Sequence, residues 1–173
     1  VQEGYRRLAQ PVAAHRRSIF YLRGQYWIVI DRFTVEGEAA RTYQQHFHMP
    51  PGATVLANGQ VRTHGPGGNL LLAPVPGLTG KLSRESNPHP IRTYQNPDHV
   101  LIETTTAGDC VLAVVLAPFA DEAVPELRVK RIEVAADGRQ LSPWEATALS
   151  IVVNGRSDVY YQQHMHWNLP WQA

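Results

Sequence analysis

The stretch Cys110-Val111-Leu112-Ala113-Val114-Val115-Leu116 is apolar at every position and rich in β-branched side chains. Successive side chains of a strand point to opposite faces, so a strand of this composition is buried on both. The competing reading is a turn of buried helix, which the β-branched content disfavours. The run predicts a central strand covered on both sides rather than an edge.

Working outward, residues 100–106 read as a strand that turns back through Ala107-Gly108-Asp109, giving an expected hairpin with the central run. Residues 17–22, 26–33 and 42–48 read as three successive strands, and 127–134, 148–153 and 158–166 as three more. Asn58-Gly59, Asp137-Gly138 and Asn154-Gly155 are turn signals, because these residues tolerate the positive φ of a type I′ turn. Residues 65–68, 87–90 and 117–125 read as loops, and single helical turns are allowed within 117–125 and at Pro143-Trp144-Glu145. Turn signals recur roughly every 8–12 residues, as in an antiparallel sandwich. The expected fold class is therefore all-β, an antiparallel β-sandwich of stacked sheets with few or no helices, forming one domain over residues 1–173.

Composition narrows the function. Sixteen basic against 15 acidic side chains leave a formal charge of +1. That balance argues against a protein held by bulk attraction to nucleic acid or an anionic membrane. No apolar run is long enough to cross a bilayer as a helix. Cys110 is the only cysteine, which rules out an internal disulfide and a thiolate metal cluster. The first residues, VQEGYRRLAQ, are neither a signal peptide nor a methionine start, so the chain reads as a mature form or a piece of something longer.

Eight histidines are the chemical surplus of this sequence. Tyr43-Gln44-Gln45-His46-Phe47-His48 recurs as Tyr161-Gln162-Gln163-His164-Met165-His166. Either the two strands occupy related places in two sheets, or the likeness is coincidence between amphipathic strands. An HxH pair on a strand places two imidazoles on one face, roughly 7 Å apart, within reach of one ion. The plain alternative is a pair of half-buried, hydrogen-bonded histidines. In the first hairpin, a loop at Leu22-Arg23-Gly24 pairs Tyr21 with Gln25 and, further along, His15 with Asp31. A two-residue loop pairs Arg16 with Asp31 instead, as an ion pair. Arg16, Arg17, Arg32 and Arg41 are candidates to face an acidic polymer, since guanidinium binds carboxylate and sulfate through paired donors, and Trp144, Trp167 and Trp171 to stack on sugar rings. Each arginine also has the bland reading of a solvated strand face, and each tryptophan that of a packing residue.

The stretch GYRRLAQPVAAHRRSIFYLRGQYWIVIDRFTVEGEAARTYQQHFHMPPG, residues 4–52, resembles the β-sandwich domain of heparinase II/III-type polysaccharide lyases, a group that includes oligoalginate lyases. The matching elements are His15-Arg16-Arg17, the strand ending at Asp31, and Phe47-His48 before a proline-glycine turn. The resemblance implies a β module that works beside an α/α toroid of the same parent, on an acidic, uronic-acid-containing polysaccharide, outside the cytoplasm (periplasmic or secreted). It implies a structural zinc held by His15, Asp31 and His48, with His48 preferred to His46 on the resemblance alone. It implies β-elimination: a base removes the proton at C5 and an acid protonates the oxygen leaving C4. Tyr43 is the candidate catalytic residue this module contributes, and Arg17 the candidate substrate-binding residue. Where the family has a catalytic histidine two residues before the first zinc ligand, this chain has Ala13. Two other readings compete. One is a cupin-like metal enzyme using His46 and His48, although the glutamate expected after HxH is missing. The other is a metal-free carbohydrate-binding sandwich.

Overall fold

A computed structural model describes residues 14–35, 37–78, 81–86, 98–120 and 123–164. The strands run in chain order as β1 (Ala14–Leu22), β2 (Tyr26–Thr34), β3 (Ala40–Met49), β4 (Thr54–Val55), β5 (Val61–Arg62), β6 (Asn69–Pro74) and β7 (Lys81–Ser86). There follow β8 (Asp98–Ala107), β9 (Cys110–Phe119), β10 (Leu127–Ile132), β11 (Val134–Ala136), β12 (Arg139–Leu141), β13 (Ala146–Val153) and β14 (Arg156–Gln163). No helix occurs among the described residues. All strand pairs are antiparallel.

Three layers explain the apolar run. A six-stranded sheet in the order β1-β2-β9-β6-β5-β4 lies in the middle. Sheet β3-β8-β7 covers one face and sheet β10-β13-β14 the other, with β11-β12 as a separate hairpin. Ile28, Ile30, Val111, Ala113 and Val115 of the middle sheet pack with Leu127, Val129, Leu149 and Ile151. The alternate residues Val29 and Val114 pack with Met49, Val100 and Ile102 of the opposite layer. Leu112 and Cys110 join Tyr43 at the far end of that layer. Thus residues 110–115 of β9 have no solvent face, which is why they carry no polar alternation.

The expected β8–β9 hairpin is not formed. The two strands lie in different sheets, β8 between β3 and β7, and β9 between β2 and β6. A strand buried on both faces belongs in the middle layer, whereas β8 alternates buried and part-exposed residues and suits an outer one. The turn between them crosses layers, with Gly108 at φ 72°. The Val35 N–H donates to Asp109 Oδ1 at 3.0 Å, pinning the crossing to the end of β2.

Strands β4 to β7 escaped sequence reading; β4 and β5 are two residues each and, beside Gly-Pro-Gly-Gly, carry almost no periodicity, while β6 and β7 are six residues each. β9 also runs to Phe119, into residues read as loop. The turns at Asp137-Gly138 and Asn154-Gly155 have positive φ at both positions, as a type I′ turn requires. The histidine-bearing repeats sit on the edge strands β3 and β14 of the two outer sheets. Their burial is inverted: Tyr43 is buried and Tyr161 is 54% exposed. His166, residues 87–90, Trp167 and Trp171 lie outside the described residues.

Candidate functional site

The first hairpin closes one residue later along each strand than expected. Leu22 pairs with Tyr26, and the Gln25 N–H donates to the Leu22 carbonyl at 2.9 Å. Gly24, at φ 72°, takes the third position of this turn, where a positive φ favours glycine. Direct partners are therefore Arg17 with Asp31 and His15 with Phe33, in place of His15 with Asp31 or Arg16 with Asp31. The shift preserves parity, so His15, Arg17 and Asp31 still share one face. His15 reaches Asp31 along the diagonal.

Asp31 is the hub. It has no solvent exposure, and it faces the outer sheet that carries β3. His15 Nε2 donates to Oδ1 at 2.9 Å. Arg17 binds bidentately, Nε to Oδ1 at 2.7 Å and Nη2 to Oδ2 at 2.6 Å. Gln45 Nε2 donates to Oδ2 at 2.8 Å. Burial pushes the Asp31 carboxyl up, but the hydrogen bonds and charges of Arg17 and His15 outweigh it, and the group sits below its ordinary value. His15 stacks on Phe33 at 4.6 Å, and Phe33 tilts against Tyr43 at 5.1 Å.

Tyr43 is interior. Its hydroxyl donates to the Gly108 carbonyl at 2.6 Å, so the phenol ties β3 to the layer-crossing turn. Burial raises its pKa. Tyr43→Phe leaves that carbonyl short of a donor and is expected to cost about 1 kcal/mol, read as a lowered midpoint in urea with an unchanged slope.

His48 is not beside Asp31. Gln45 points inward from β3, so His46 and His48 point outward from the same strand. His46 Nδ1 lies 2.7 Å from His99 Nε2. The His99 ring stacks on both, at 4.8 Å from His46 and 5.2 Å from His48. The rings are nearly parallel, within 13°. Imidazole lone pairs lie in the ring plane, so stacked rings do not converge on one ion. Burial, then His99, His48 and Arg17, lower the His46 pKa. Sequence reading missed both Gln45 and His99. Only a fixed register between β3 and β8 reveals that His99 stands opposite His48.

These placements bear on zinc. His15 and Asp31 are together, but His48 faces away, and protein donors already engage both Asp31 oxygens. As arranged, the three residues do not fit one tetrahedral ion. Among the described residues, no group of three or more His, Cys, Asp or Glu side chains is placed to hold a metal. Of the other arginines, Arg32 is buried at 6% exposure rather than solvated, and Arg41 donates to the Ala39 carbonyl. Trp144 stacks on Arg32. Ala13 lies outside the described residues.

Residues 1–137 match the family model described as heparinase II/III-like, C-terminal. Among solved structures, the heparan sulfate lyase HepC from Pedobacter heparinus superposes with a TM-score of 0.67 at 19% identity, over 90% of this chain and 25% of that one. Heparinase III gives 0.63 at 13% identity, over 88% and 24%. The heparinase III product of BT4657 gives 0.60 at 16% identity, over 88% and 24%. At these identities the likeness is one of fold. This chain spans about a quarter of the length of the structures it matches. No curated protein matches its sequence.

Proposed function

Because this chain belongs to the heparinase II/III-like C-terminal family, we propose that it is the β module of a polysaccharide lyase that cleaves a uronic-acid-containing polymer by β-elimination. The family match over residues 1–137 is the observation that carries this reading. A substrate of that size does not cross a membrane unaided, so the reading places the parent outside the cytoplasm. The α/α toroid of the same parent is the partner. Ile19 and Tyr21 on β1, and Val159 and Tyr161 on β14, are large apolar side chains exposed by 49–74%, which suits a chain that packs against another domain.

Within this module, Arg17 holds Asp31 and remains 41% exposed. The outward row His46, His48 and His99 lies on the adjoining edge of β3 and β8, close enough for Arg17 to depress the His46 pKa. A half-exposed guanidinium beside these imidazoles can accept a sugar carboxylate and hold or take a proton near it. Tyr43 does not enter this reading, since its hydroxyl is committed inside the fold. Zinc does not enter it either, because Arg17 supplies the positive charge on Asp31.

The test is an elimination assay on heparan sulfate and on alginate, following the ultraviolet absorbance of the unsaturated uronate formed. A polypeptide joining this chain to its toroid is expected to cleave one of them, and this chain alone neither. Paired His46→Gln and His48→Gln changes are expected to raise KM about tenfold with the fold intact. Cleavage by hydrolysis, with no unsaturated product, contradicts the proposal.

A further inference from the structure

The second face of β2 carries a charge problem that the Asp31 site does not share. Arg32 stands directly opposite Arg16 in the β1–β2 register, a like-charge pair. Arg32 is 6% exposed, and its Nε is buried with no hydrogen-bond acceptor. Its guanidinium lies over the Trp144 ring, 4.6 Å from the centroid. Among the described residues, no carboxylate stands at ion-pair distance from it. Asp109 acts on it only from further away, with Oδ1 already accepting from Val35. A buried cation without a close counter-charge is costly, and the aromatic face offsets only part of that cost.

A third group faces the same field. His164 is 4% exposed. Its Nε2 lies 2.9 Å from Thr147 Oγ1, and the Thr147 hydroxyl spends its one proton on the Pro143 carbonyl at 3.1 Å. Thr147 therefore accepts, and neutral His164 carries its proton on Nε2. Its Nδ1 is buried with no partner. Burial, then Arg32 and Arg16, drive the His164 pKa down to about 4. Trp144, which covers Arg32, also lines an open cleft of ≈ 590 Å³ together with Asp109 and Glu145. Of these acids, Glu145 is neutralised by Arg139 at 2.7 Å.

We infer that Arg32, His164 and Arg16 form a binding site for one small oxyanion, a sulfate or a carboxylate. The oxyanion accepts from the orphaned Arg32 Nε–H and separates the two opposed guanidinium charges. It also favours the protonated form of His164, whose Nδ1–H then becomes a second donor. This site lies on the opposite face of β2 from Asp31 and does not depend on the proposed lyase activity.

The test compares this chain with Arg32→Met, which keeps a side chain to pack on Trp144. Thermal unfolding is followed in sodium sulfate, in sodium glucuronate, and in sodium chloride at matched ionic strength. Saturating anion is expected to raise the wild-type Tm by roughly 5–10 °C at a hundredfold excess over its dissociation constant, and Arg32→Met is expected to lose that increment. Sulfate acting alone identifies a free inorganic anion as the ligand, whereas glucuronate acting as well identifies a sugar acid. Sulfate stabilises most proteins through surface exclusion, so equal shifts in both proteins overturn the inference. Should Arg32→Met fail to fold, titration of the His164 ring by NMR in the wild type decides. A His164 pKa higher in sulfate than in sodium chloride at matched ionic strength supports the site, and the same value in both overturns it.

Discussion

Ala113→Asp and Val114→Asp are each expected to abolish folding, although they are neighbours on one strand pointing in opposite directions. Ala113 packs toward the β10-β13-β14 layer and Val114 toward the β3-β8-β7 layer, and neither has any solvent exposure. An unpaired carboxylate at either position costs several kcal/mol, comparable with the whole stability of a domain this size. In a two-layer sandwich one face of this strand is near solvent, and one of the two changes is tolerated. Soluble yield and cooperative thermal unfolding distinguish the cases. Loss of both proteins is the three-layer result, and survival of either contradicts it.

Asp31→Ala is the second large effect. It removes the acceptor for four hydrogen bonds from His15, Arg17 and Gln45. Arg17 is half-exposed and recovers water, but Gln45 is fully buried and does not. The expected loss is about 3 kcal/mol, below the upper range for a broken buried pair because one partner rehydrates. The pH dependence follows from the lowered carboxyl pKa. The contribution of Asp31 is fully present above its unfolded value of 3.8 and is lost as pH falls through the lower folded value. The stability gap between wild type and Asp31→Ala should therefore be constant from pH 5 to 7 and close below about pH 4. A gap that persists undiminished in acid contradicts this role for the ionised carboxylate.

The layered fold was legible where composition is extreme. The doubly apolar β9 announced its central position, and the alternation along β3 announced a half-buried strand, whereas β2 is buried along most of its length. The long-range order was not legible, because Ala107-Gly108-Asp109 has the composition of a hairpin turn and serves as a crossing between layers. Only the competition of β2 and β6 for the edges of β9 excludes β8 from pairing there. At the site, the proximity of His15 to Asp31 survived a register error because the shift preserved the side-chain face. Arg17 as the direct partner was not legible, since a one-residue change in loop placement decides it. Gln45 was invisible for a different reason. Its contact joins two sheets, and no local pattern encodes which residue of an outer strand meets a given residue of the central one. The outward direction of His48 follows from that same contact.

We propose that the Arg17 guanidinium, rather than a metal, neutralises the buried Asp31 where the central and outer sheets meet. Elemental mass spectrometry of the chain purified without a nickel column, alongside Asp31→Asn, tests it directly. The arrangement predicts far less than one zinc per chain in both proteins, and a wild-type melting temperature unmoved by chelator. One zinc per chain in the wild type, lost in Asp31→Asn, would mean that Arg17 yields its place to the ion and would contradict the claim.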